Sequence, residues 1–459
     1  MRNFDLVVIG SGSGNGILDS NFDDLDVAIL EHGIFGGTCI NVGCIPTKMY
    51  VYAAEQALAV RNAHRFGVDA HVDGVRWPEI VDRVFGRIDP ISVGGARYRS
   101  EGTPNTTLFT GHARFVGPRT IDTGTGETIT ADRIVIAGGS RPVVPAVVRD
   151  SGVPFRTNDD VMRLPELPEH LIILGAGYIA SEFANVFSAL GSQVTVIARS
   201  ATMLRAHDDD VRERFTRLAT EKWDVRLGRA VTAVRGTEGA VQVELDDGSV
   251  VHGDVLLVAA GRTPNGDQLE VAAGGVGLHP DGRIMVDPQQ RVLTADGEVL
   301  EGAFALGDIS SEYQLKHVAN HEARVVRHNL LHPQSLHASD HRFVPAAVFT
   351  DPQIATVGLT ERAAREQGLD ITVKVQEYAD VAYGWAMEDH EGFCKVVAER
   401  GTGRLLGAHV MGAQACSIIQ PMIQALSFGL SATDMATGQY WIHPGLPEVL
   451  ENALLGLEI

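Results

Sequence analysis

The chain has 459 residues, with 38 Lys and Arg against 58 Asp and Glu, which gives a formal net charge of −20. Hydrophobic residues make up 44% and charged residues 21% of the chain, so wholesale disorder is excluded. An acidic surface repels phosphate backbones, and no apolar run reaches the roughly 18 residues of a membrane helix, so we expect neither nucleic acid nor a membrane as partner. The strand-like residues 4–9 leave no room for a signal peptide, which predicts a cytoplasmic protein.

The same local pattern occurs twice along the chain. Residues 4–9 are apolar and run into Gly-Ser-Gly-Ser-Gly at 10–14, and residues 171–174 are apolar and run into Gly-Ala-Gly-Tyr-Ile-Ala at 175–180. Each pattern predicts a parallel strand, a glycine-rich turn and a helix, which together bind the pyrophosphate of a dinucleotide. We therefore predict an α/β fold with two Rossmann-like nucleotide-binding domains in series.

The first turn carries one departure from the dinucleotide pattern. Glu31 ends the second strand, about twenty positions after Gly10, where an acidic residue binds a ribose hydroxyl. Asn15, however, occupies the position of the third glycine. We expect looser packing of helix against strand at this point, unless Gly14 and Gly16 compensate.

The second turn predicts a different nucleotide. Gly175, Gly177 and Ala180 form a permitted variant of the fingerprint, and the strand that follows ends at Arg199 rather than at an acidic residue, with Arg205 six positions on. A guanidinium matches a 2′-phosphate in charge and geometry, whereas a carboxylate repels it. The pattern favours NADP over NAD, against the alternative that both arginines are ordinary solvated surface residues.

The rest of the chain is predicted to add a strand to the first domain and then to form a third domain of a different architecture. A strand precedes Gly307-Asp308, and short alternating runs at 371–378, 393–398 and 404–410 precede a helical stretch from about 418 to 430. We predict an antiparallel sheet with helices for this last part. The predicted divisions are the first nucleotide-binding domain over 1–145, the second over 146–264, the return to the first over 265–335, and a C-terminal α+β domain over 336–459.

Four cysteines are too few for a secreted disulfide framework. Cys394 and Cys416 stand alone, and we expect both to be inert thiols. Cys39 and Cys44 lie close together, in a segment with no second Cys or His pair at metal-ligand spacing, so no metal site is expected.

Residues 39 and 44 would lie roughly 8–9 Å apart, Cα to Cα, on an ideal helix, beyond the ~4.4–6.8 Å that a disulfide accepts. A Cys39–Cys44 bridge therefore requires a distorted turn, which Gly43 permits before Pro46 starts a regular helix. The helix dipole, with Lys48 one turn further on, favours the thiolate of Cys44. These features are typical of a reducible disulfide rather than a structural one.

A candidate acid–base pair lies near the C-terminus. His443 and Glu448 flank a loop stiffened by Pro444 and Pro447, so a turn can bring them together. A carboxylate on one imidazole nitrogen fixes the tautomer and makes the histidine a proton shuttle. Among 17 histidines, His443 alone would be read as an ordinary surface or core residue. The cysteine pair changes that interpretation, because thiol–disulfide exchange needs an acid for the leaving thiolate.

With these motifs in place, the sequence resembles the flavoprotein disulfide reductases over nearly its whole length. The resemblance lies in the ordered set of motifs at 10–15, 36–48, 175–182, 260–265, 304–308, 349–352 and 443–448. It implies FAD in the first domain, NADPH in the second, and a homodimer formed through the C-terminal domain with an active site shared between subunits. It also implies that the Cys39–Cys44 disulfide is reduced through FAD, that Cys39 attacks the substrate, and that His443 of the second subunit, oriented by Glu448, protonates the departing thiol.

By position, the resemblance assigns residues to each cofactor. Those expected to line FAD are Gly10, Gly12, Ser13, Gly14, Glu31, Thr38, Cys39, Lys48, Ala113 and Asp308. Those expected to line NADPH are Gly175, Ala176, Gly177, Tyr178, Ile179, Glu182, Arg199, Arg205 and Gly261. Lys48 and Glu182 are expected to form an ion pair near the flavin.

The expected partner is a small-molecule disulfide. Four stretches, at 12–15, 48–55, 381–389 and 439–444, resemble the branch of the family that reduces mycothione, a neutral, sugar-containing disulfide. Glutathione disulfide remains the alternative substrate. The segment 19–26, expected to border the substrate cleft, has four Asp and no Lys or Arg, which favours an uncharged or cationic substrate. A non-catalytic flavin-binding protein is the rival from another class, and the intact cysteine and His–Glu pairs disfavour it.

Overall fold

The computed structural model describes residues 1–459. Its strands, in chain order, are β1 Arg2–Ile9, β2 Val27–Leu30, β3 Thr106–Phe109, β4 Arg114–Gly117, β5 Thr120–Asp122, β6 Thr128–Ile136, β7 Ser140–Pro142, β8 His170–Leu174, β9 Gln193–Ala198, β10 Asp224–Leu227, β11 Val231–Thr237, β12 Ala240–Leu245, β13 Val250–Gly253, β14 Val255–Val258, β15 Arg262–Pro264, β16 Arg291–Leu293, β17 Val299–Ala305, β18 Ala346–Val348, β19 Gln353–Gly358, β20 Ile371–Glu377, β21 Phe393–Glu399 and β22 Leu405–Gly412. Its α-helices are α1 Gly37–Asn41, α2 Cys44–Asn62, α3 Trp77–Glu101, α4 Ala146–Arg149, α5 Tyr178–Leu190, α6 Asp209–Lys222, α7 Lys316–Leu331, α8 Glu361–Glu366, α9 Ala382–Met387, α10 Ala415–Ile418, α11 Gln420–Phe428, α12 Ala432–Thr437 and α13 Glu448–Leu455.

The first sheet is built around β1, the apolar run 4–9. Leu6, Val7 and Val8 are fully buried, as expected of a parallel strand covered on both faces. The sheet order is β16-β17-β6-β1-β2-β3, with the β4–β5 hairpin paired at its margin. β17 comes from late in the chain and pairs in parallel with β6, placing Phe304 opposite Val135. The segment before Gly307-Asp308 therefore returns to the first sheet.

The helix expected after the first glycine turn is absent, so this part of the sequence prediction is wrong. Residues Gly14–Ile17 and Ser20–Phe22 form two short 3-10 helices instead. Glycine disfavours helix, and the Asp19 side chain accepts a hydrogen bond from the Asn21 N–H at 3.0 Å, which starts a separate turn. Close packing occurs at Gly14, where an added Cβ would lie 2.8 Å from Ala137 Cβ.

The second sheet forms as predicted, with its helix. Strands β10-β9-β8-β14 are all parallel, and α5 begins at Tyr178, directly after Gly177. Most of α5 is buried between this sheet and α2. The antiparallel sheet β11-β12-β13 lies next to it along the chain, and the two-stranded β15-β7 ribbon pairs Arg262 with Pro142.

The last part of the chain is the predicted antiparallel sheet with helices. Its order is β18-β19-β22-β21-β20, and the three predicted runs coincide with β20, β21 and β22. α10 and α11 cover most of the predicted helical stretch. The α/β class with an α+β C-terminal part is therefore confirmed. None of the helices combines the length and apolarity that a membrane crossing requires.

A buried ionic cluster fixes α6 against the C-terminal sheet. Lys395, on β21 and 2% exposed, donates to Asp208 at 2.8 Å and to Asp210 at 2.6 Å, and it pairs with Glu361 at 2.8 Å. Burial penalises each of these charges unless it is paired. The start of α6, and the loop before it, are therefore tied to the C-terminal part of the molecule.

The two glycines beside Asn15 provide a test of the packing at the first turn. Gly14→Ala places its Cβ 2.8 Å from Ala137 Cβ and 3.0 Å from Val8 Cγ1, whereas Gly16 has no atom within 4 Å of the corresponding position. We expect Gly14→Ala to lower the free energy of unfolding by about 1–3 kcal/mol through overpacking. Gly16→Ala should change it by less than about 0.5 kcal/mol. Denaturant unfolding of both variants measures the difference, and equal effects would contradict the packing described.

Candidate active site

A cavity of about 820 Å³ lies where the first glycine turn, α2, the start of α5 and the start of α7 meet. It is lined by most of the residues predicted for the site, namely Gly10, Gly12, Ser13, Glu31, Thr38, Cys39, Cys44, Lys48, Ala113, Tyr178, Ile179, Glu182 and Asp308. The predicted residues outside its lining are Gly14, Gly175, Ala176, Gly177, Arg199, Arg205, Gly261, His443 and Glu448. The structure therefore joins the FAD positions to the cysteines, and leaves the arginines and the His–Glu pair apart.

The first glycine turn and Glu31 form one hydrogen-bonded unit at the edge of this cavity. Gly10 has a φ of +98°, and a Cβ there would lie 2.3 Å from the Ala137 carbonyl oxygen, so only glycine fits. The Ser11 N–H and hydroxyl donate to Glu31 Oε2 at 3.0 and 2.7 Å, and the Gly33 N–H donates to Oε1 at 2.8 Å. A turn without a side chain at Gly10 and with the Glu31 carboxylate beside it fits the adenosine half of a dinucleotide.

Asp308 is held in the cavity wall by residues that the sequence analysis missed. The Ser140 hydroxyl donates to Asp308 Oδ2 at 2.6 Å. Glu322, 1% exposed, accepts the Gly307 N–H at 2.7 Å. Neither Ser140 nor Glu322 belongs to a local motif, and only the fold brings them to the Gly307-Asp308 turn.

The cysteine pair adopts the predicted interrupted turn. α1 ends at Asn41, and α2 begins at Cys44 itself. Gly43 lies in the break, where a Cβ would come within 2.8 Å of the Thr38 carbonyl oxygen. Both Cys39 and Cys44 are free thiols. The interruption brings the two thiols close enough for each to shift the pKa of the other, which a continuous helix would prevent.

The two cysteines have pKa values shifted in opposite directions. The hydrogen bond from Cys39, aided by the charge of Lys48 and opposed by desolvation, lowers the pKa of Cys44 to about 7. The same hydrogen bond, together with burial, raises the pKa of Cys39. As the pH rises, Cys44 therefore loses its proton before Cys39 does.

Lys48 and Glu182 form the expected ion pair. Lys48 Nζ lies 2.8 and 2.7 Å from the two carboxylate oxygens of Glu182, which is 3% exposed. The Phe349 N–H donates to Glu182 Oε1 at 3.0 Å, and Lys48 Nζ lies 4.6 Å from the centroid of the Phe349 ring. Phe349 comes from the C-terminal part of the chain, so this pair connects three separate segments.

The second glycine turn packs tightly against Ala259, the residue that follows β14. Gly175 has a φ of +134°, and a Cβ there would lie 2.1 Å from the Ala259 carbonyl oxygen. The Leu204 N–H donates to the Ala176 carbonyl at 2.8 Å, so the loop that carries Arg199 and Arg205 is tied to the turn. Both arginines are exposed, whereas the nearby Arg212 and Arg226 are paired with carboxylates.

His443 and Glu448 meet as predicted. His443 Nδ1 donates to Glu448 Oε1 at 2.7 Å, and the Gly445 N–H donates to Oε2 at 3.0 Å. The hydrogen bond with His443 lowers the pKa of Glu448. The His443 side chain is 72% exposed, and within one chain it does not reach the cavity that holds the cysteines.

The acidic segment 19–26 lies outside the cavity of the single chain. None of its residues lines the cavity. Asp19 pairs with Arg327 at 3.1 Å and Asp26 with Arg2 at 2.8 Å, so half of its carboxylates are neutralised within the chain. The segment therefore gives no support for an acidic cleft in the single chain.

Comparison with known proteins agrees with this architecture. Residues 4–323 match the family described as pyridine nucleotide-disulphide oxidoreductase, and residues 344–454 match the dimerisation domain of that family. The mycothione reductase of Mycobacterium tuberculosis, from strains H37Rv and CDC 1551, is 56% identical over 467 residues and covers 100% of both chains. The glutathione reductase of Burkholderia cepacia is 34% identical over 453 residues, with 97% of each chain covered.

Among solved structures, the flavoprotein disulfide reductase RclA of Escherichia coli, as a Cu(II) complex, superposes with a TM-score of 0.86. It is 26% identical and covers 99% of each chain. LpdA of Mycobacterium tuberculosis, at 22% identity and a TM-score of 0.84, shares the fold. The chain thus belongs to the pyridine nucleotide-disulphide oxidoreductases, FAD-dependent enzymes that use NADH or NADPH.

The charge of Lys48 gives a test of the thiolate assignment. In Lys48→Met the attraction between Lys48 and Cys44 is lost, so the pKa of Cys44 should rise above about 7. The rate of Cys44 alkylation in the reduced protein, followed against pH by mass spectrometry, should have its midpoint displaced to higher pH.

Lys374→Met, on β20 and outside the cavity, removes an equal charge as the control and should leave the midpoint unchanged. An unchanged midpoint in Lys48→Met would contradict the assignment.

Proposed function

We propose that the chain is an NADPH-dependent reductase of mycothione, which it converts to mycothiol. The observation that carries the proposal is the match to a mycothione reductase at 56% identity over 100% of both chains, combined with a cysteine pair across the break between α1 and α2. A cytoplasmic location belongs to the same proposal, because free thiols persist in a reducing compartment. The domain boundaries after residues 145, 264 and 335 are also part of the proposal.

The residues of the cavity fit the two cofactors. When bound, FAD and NADPH supply the electron pair that reduces the Cys39–Cys44 disulfide. In the proposed arrangement Glu31 binds the adenosine ribose of FAD, Asp308 binds a ribityl hydroxyl, and Ser13 and Thr38 lie along the pyrophosphate. Tyr178, at the start of α5, covers the nicotinamide site.

The thiol chemistry follows from the unequal pKa values. Because Cys39 donates its proton to the Cys44 thiolate, a base must remove that proton before Cys39 attacks. The sulfur of Cys39 then forms a bond to one sulfur of the substrate, and the first thiol leaves as a thiolate that takes up a proton. Cys44 attacks the resulting mixed disulfide, which releases the second thiol and restores the Cys39–Cys44 bond.

We assign the proton transfers to His443 from a second subunit. Its hydrogen bond to Glu448 leaves Nε2 free to accept and return a proton. Within one chain His443 does not line the cavity, and it lies in the segment 344–454 that matches a dimerisation domain. Tyr440, Ile442 and Phe428 are 102%, 79% and 78% exposed in the single chain, an apolar surface that a second copy would bury.

The two exposed arginines allow a test of nucleotide preference. In the double variant Arg199→Ala/Arg205→Ala the 2′-phosphate loses charge-assisted hydrogen bonds, so KM for NADPH should rise about 10–100-fold while KM for NADH stays constant. Steady-state kinetics with both nucleotides measure the ratio. Arg226→Ala is the matched control. It removes an arginine that lies on β10, next to β9, and is paired with Asp224 on the same strand. Equal effects on both nucleotides would contradict the assignment.

The substrate is tested by NADPH oxidation at saturating cofactor, with mycothione and glutathione disulfide compared in parallel. We expect kcat/KM for mycothione to exceed that for glutathione disulfide at least about 100-fold, since a site built for the polar groups of one ligand strongly rejects one that lacks them. Preference for glutathione disulfide would overturn the substrate proposal and leave the thiol chemistry intact. Cys39→Ser should abolish turnover of either disulfide.

A further inference from the structure

Lys316, the first residue of α7, reaches the first glycine turn. Its Nζ donates to the Ser13 hydroxyl at 2.8 Å across a sequence separation of 303 residues. Lys316 lines the same cavity as Ser13 and Cys39, and its side chain is partly buried. No motif of the sequence identified it as a site residue.

Lys316 differs from two of the other three strong cations in the cavity wall, because those two are paired with carboxylates. Lys48 is bound to Glu182 at 2.7 Å, and Arg141 is bound to Asp267 at 2.7 Å. Arg262 is held by the Ser140 carbonyl and by the Asn158 side chain. Lys316 has only a neutral hydroxyl as its partner. Its positive charge is therefore available to an anion in the cavity.

The turn that Lys316 reaches lacks the usual source of positive potential. In a dinucleotide fold the N-terminus of a full α-helix faces the pyrophosphate and contributes about half a positive charge. Here only the four-residue 3-10 helix Gly14–Ile17 follows the turn. A helix this short sums few peptide dipoles, so the turn offers backbone N–H groups but little helix field.

We infer that Lys316 binds the pyrophosphate of FAD and supplies the positive charge that the missing helix would otherwise provide. The inference rests on the proposed placement of FAD in this cavity. The lysine comes from the segment that follows β17, the strand that returns to the first sheet, and this return brings α7 to the turn. In this arrangement the Ser13 hydroxyl and the Lys316 ammonium would both bind the same phosphate group.

A lysine could instead serve the flavin ring, and the two roles differ in a measurable way. The charge of the pyrophosphate is the same in oxidised and reduced FAD, so a cation there stabilises both states equally. A cation at the ring stabilises the reduced, more negative state preferentially. Removing a pyrophosphate ligand should thus weaken FAD binding without changing the midpoint potential of the bound flavin.

The experiment titrates FAD into the full-length apoprotein and follows flavin fluorescence, at low and at high salt. Lys316→Met should raise the Kd for FAD at least about tenfold and flatten its salt dependence. Lys316→Arg should retain most of the affinity, because a guanidinium also binds phosphate. Arg324→Met removes an exposed cation from the same helix and should leave the Kd unchanged. Lys316→Gln provides the same test if the methionine variant does not fold.

The midpoint potential of the bound flavin, measured against an equilibrating dye, should agree between Lys316→Met and the wild-type protein. A Kd unchanged in folded Lys316→Met, or a potential that falls as the Kd rises, would overturn the inference. If the wild-type apoprotein itself bound no FAD, the placement of FAD would fail instead, and the two failures are thus distinguishable.

Discussion

The ion pair between Lys48 and Glu182 holds the active site together. Lys48 lies one turn after Cys44 on α2, and Glu182 lies on α5, just after the second glycine turn. A buried carboxylate is stable only while its donors stay in place, and Glu182 has two of them, the Lys48 ammonium and the Phe349 N–H. The cysteines, the second turn and the start of the C-terminal part are therefore held in register by one carboxylate.

The same lysine also helps Cys39 to stabilise the thiolate of Cys44. The net charge of −20 belongs to the whole chain, whereas the cavity wall has four Lys and Arg side chains and four carboxylates. Lys48 lies near Cys44 and favours its thiolate, while the proton remains on Cys39. The two cysteines therefore differ: Cys44 ionises first, and Cys39 remains a thiol until a base removes its proton. The difference depends on the break at Gly43, because the two sulfurs could not approach along a continuous helix.

The proposed acid–base group is assembled before any second subunit arrives. Glu448 is the first residue of α13 and receives both His443 Nδ1–H and the Gly445 N–H, so the loop orients the imidazole by itself. Exposure of His443 and of the apolar side chains around it leaves this half of the site incomplete in a single chain. Each chain thus forms both the cysteine pair and the His443–Glu448 pair, but at separate places. In the proposed dimer, the cysteine pair of one chain would face the His443–Glu448 pair of the other.

The sequence by itself determined the local features of this protein, namely the strands, the two glycine turns, the break before Cys44 and the His443–Glu448 turn, because each depends on residues a few positions apart. It failed at the helix after Gly14, where glycine and the Asp19 side chain favour short turns over the helix expected from the fingerprint. Only the tertiary structure placed Ser140 beside Asp308 and Lys316 beside Ser13 in the cavity wall. These two contacts span 168 and 303 residues of chain, and they form because β17 returns to the first sheet and brings Asp308 and α7 with it.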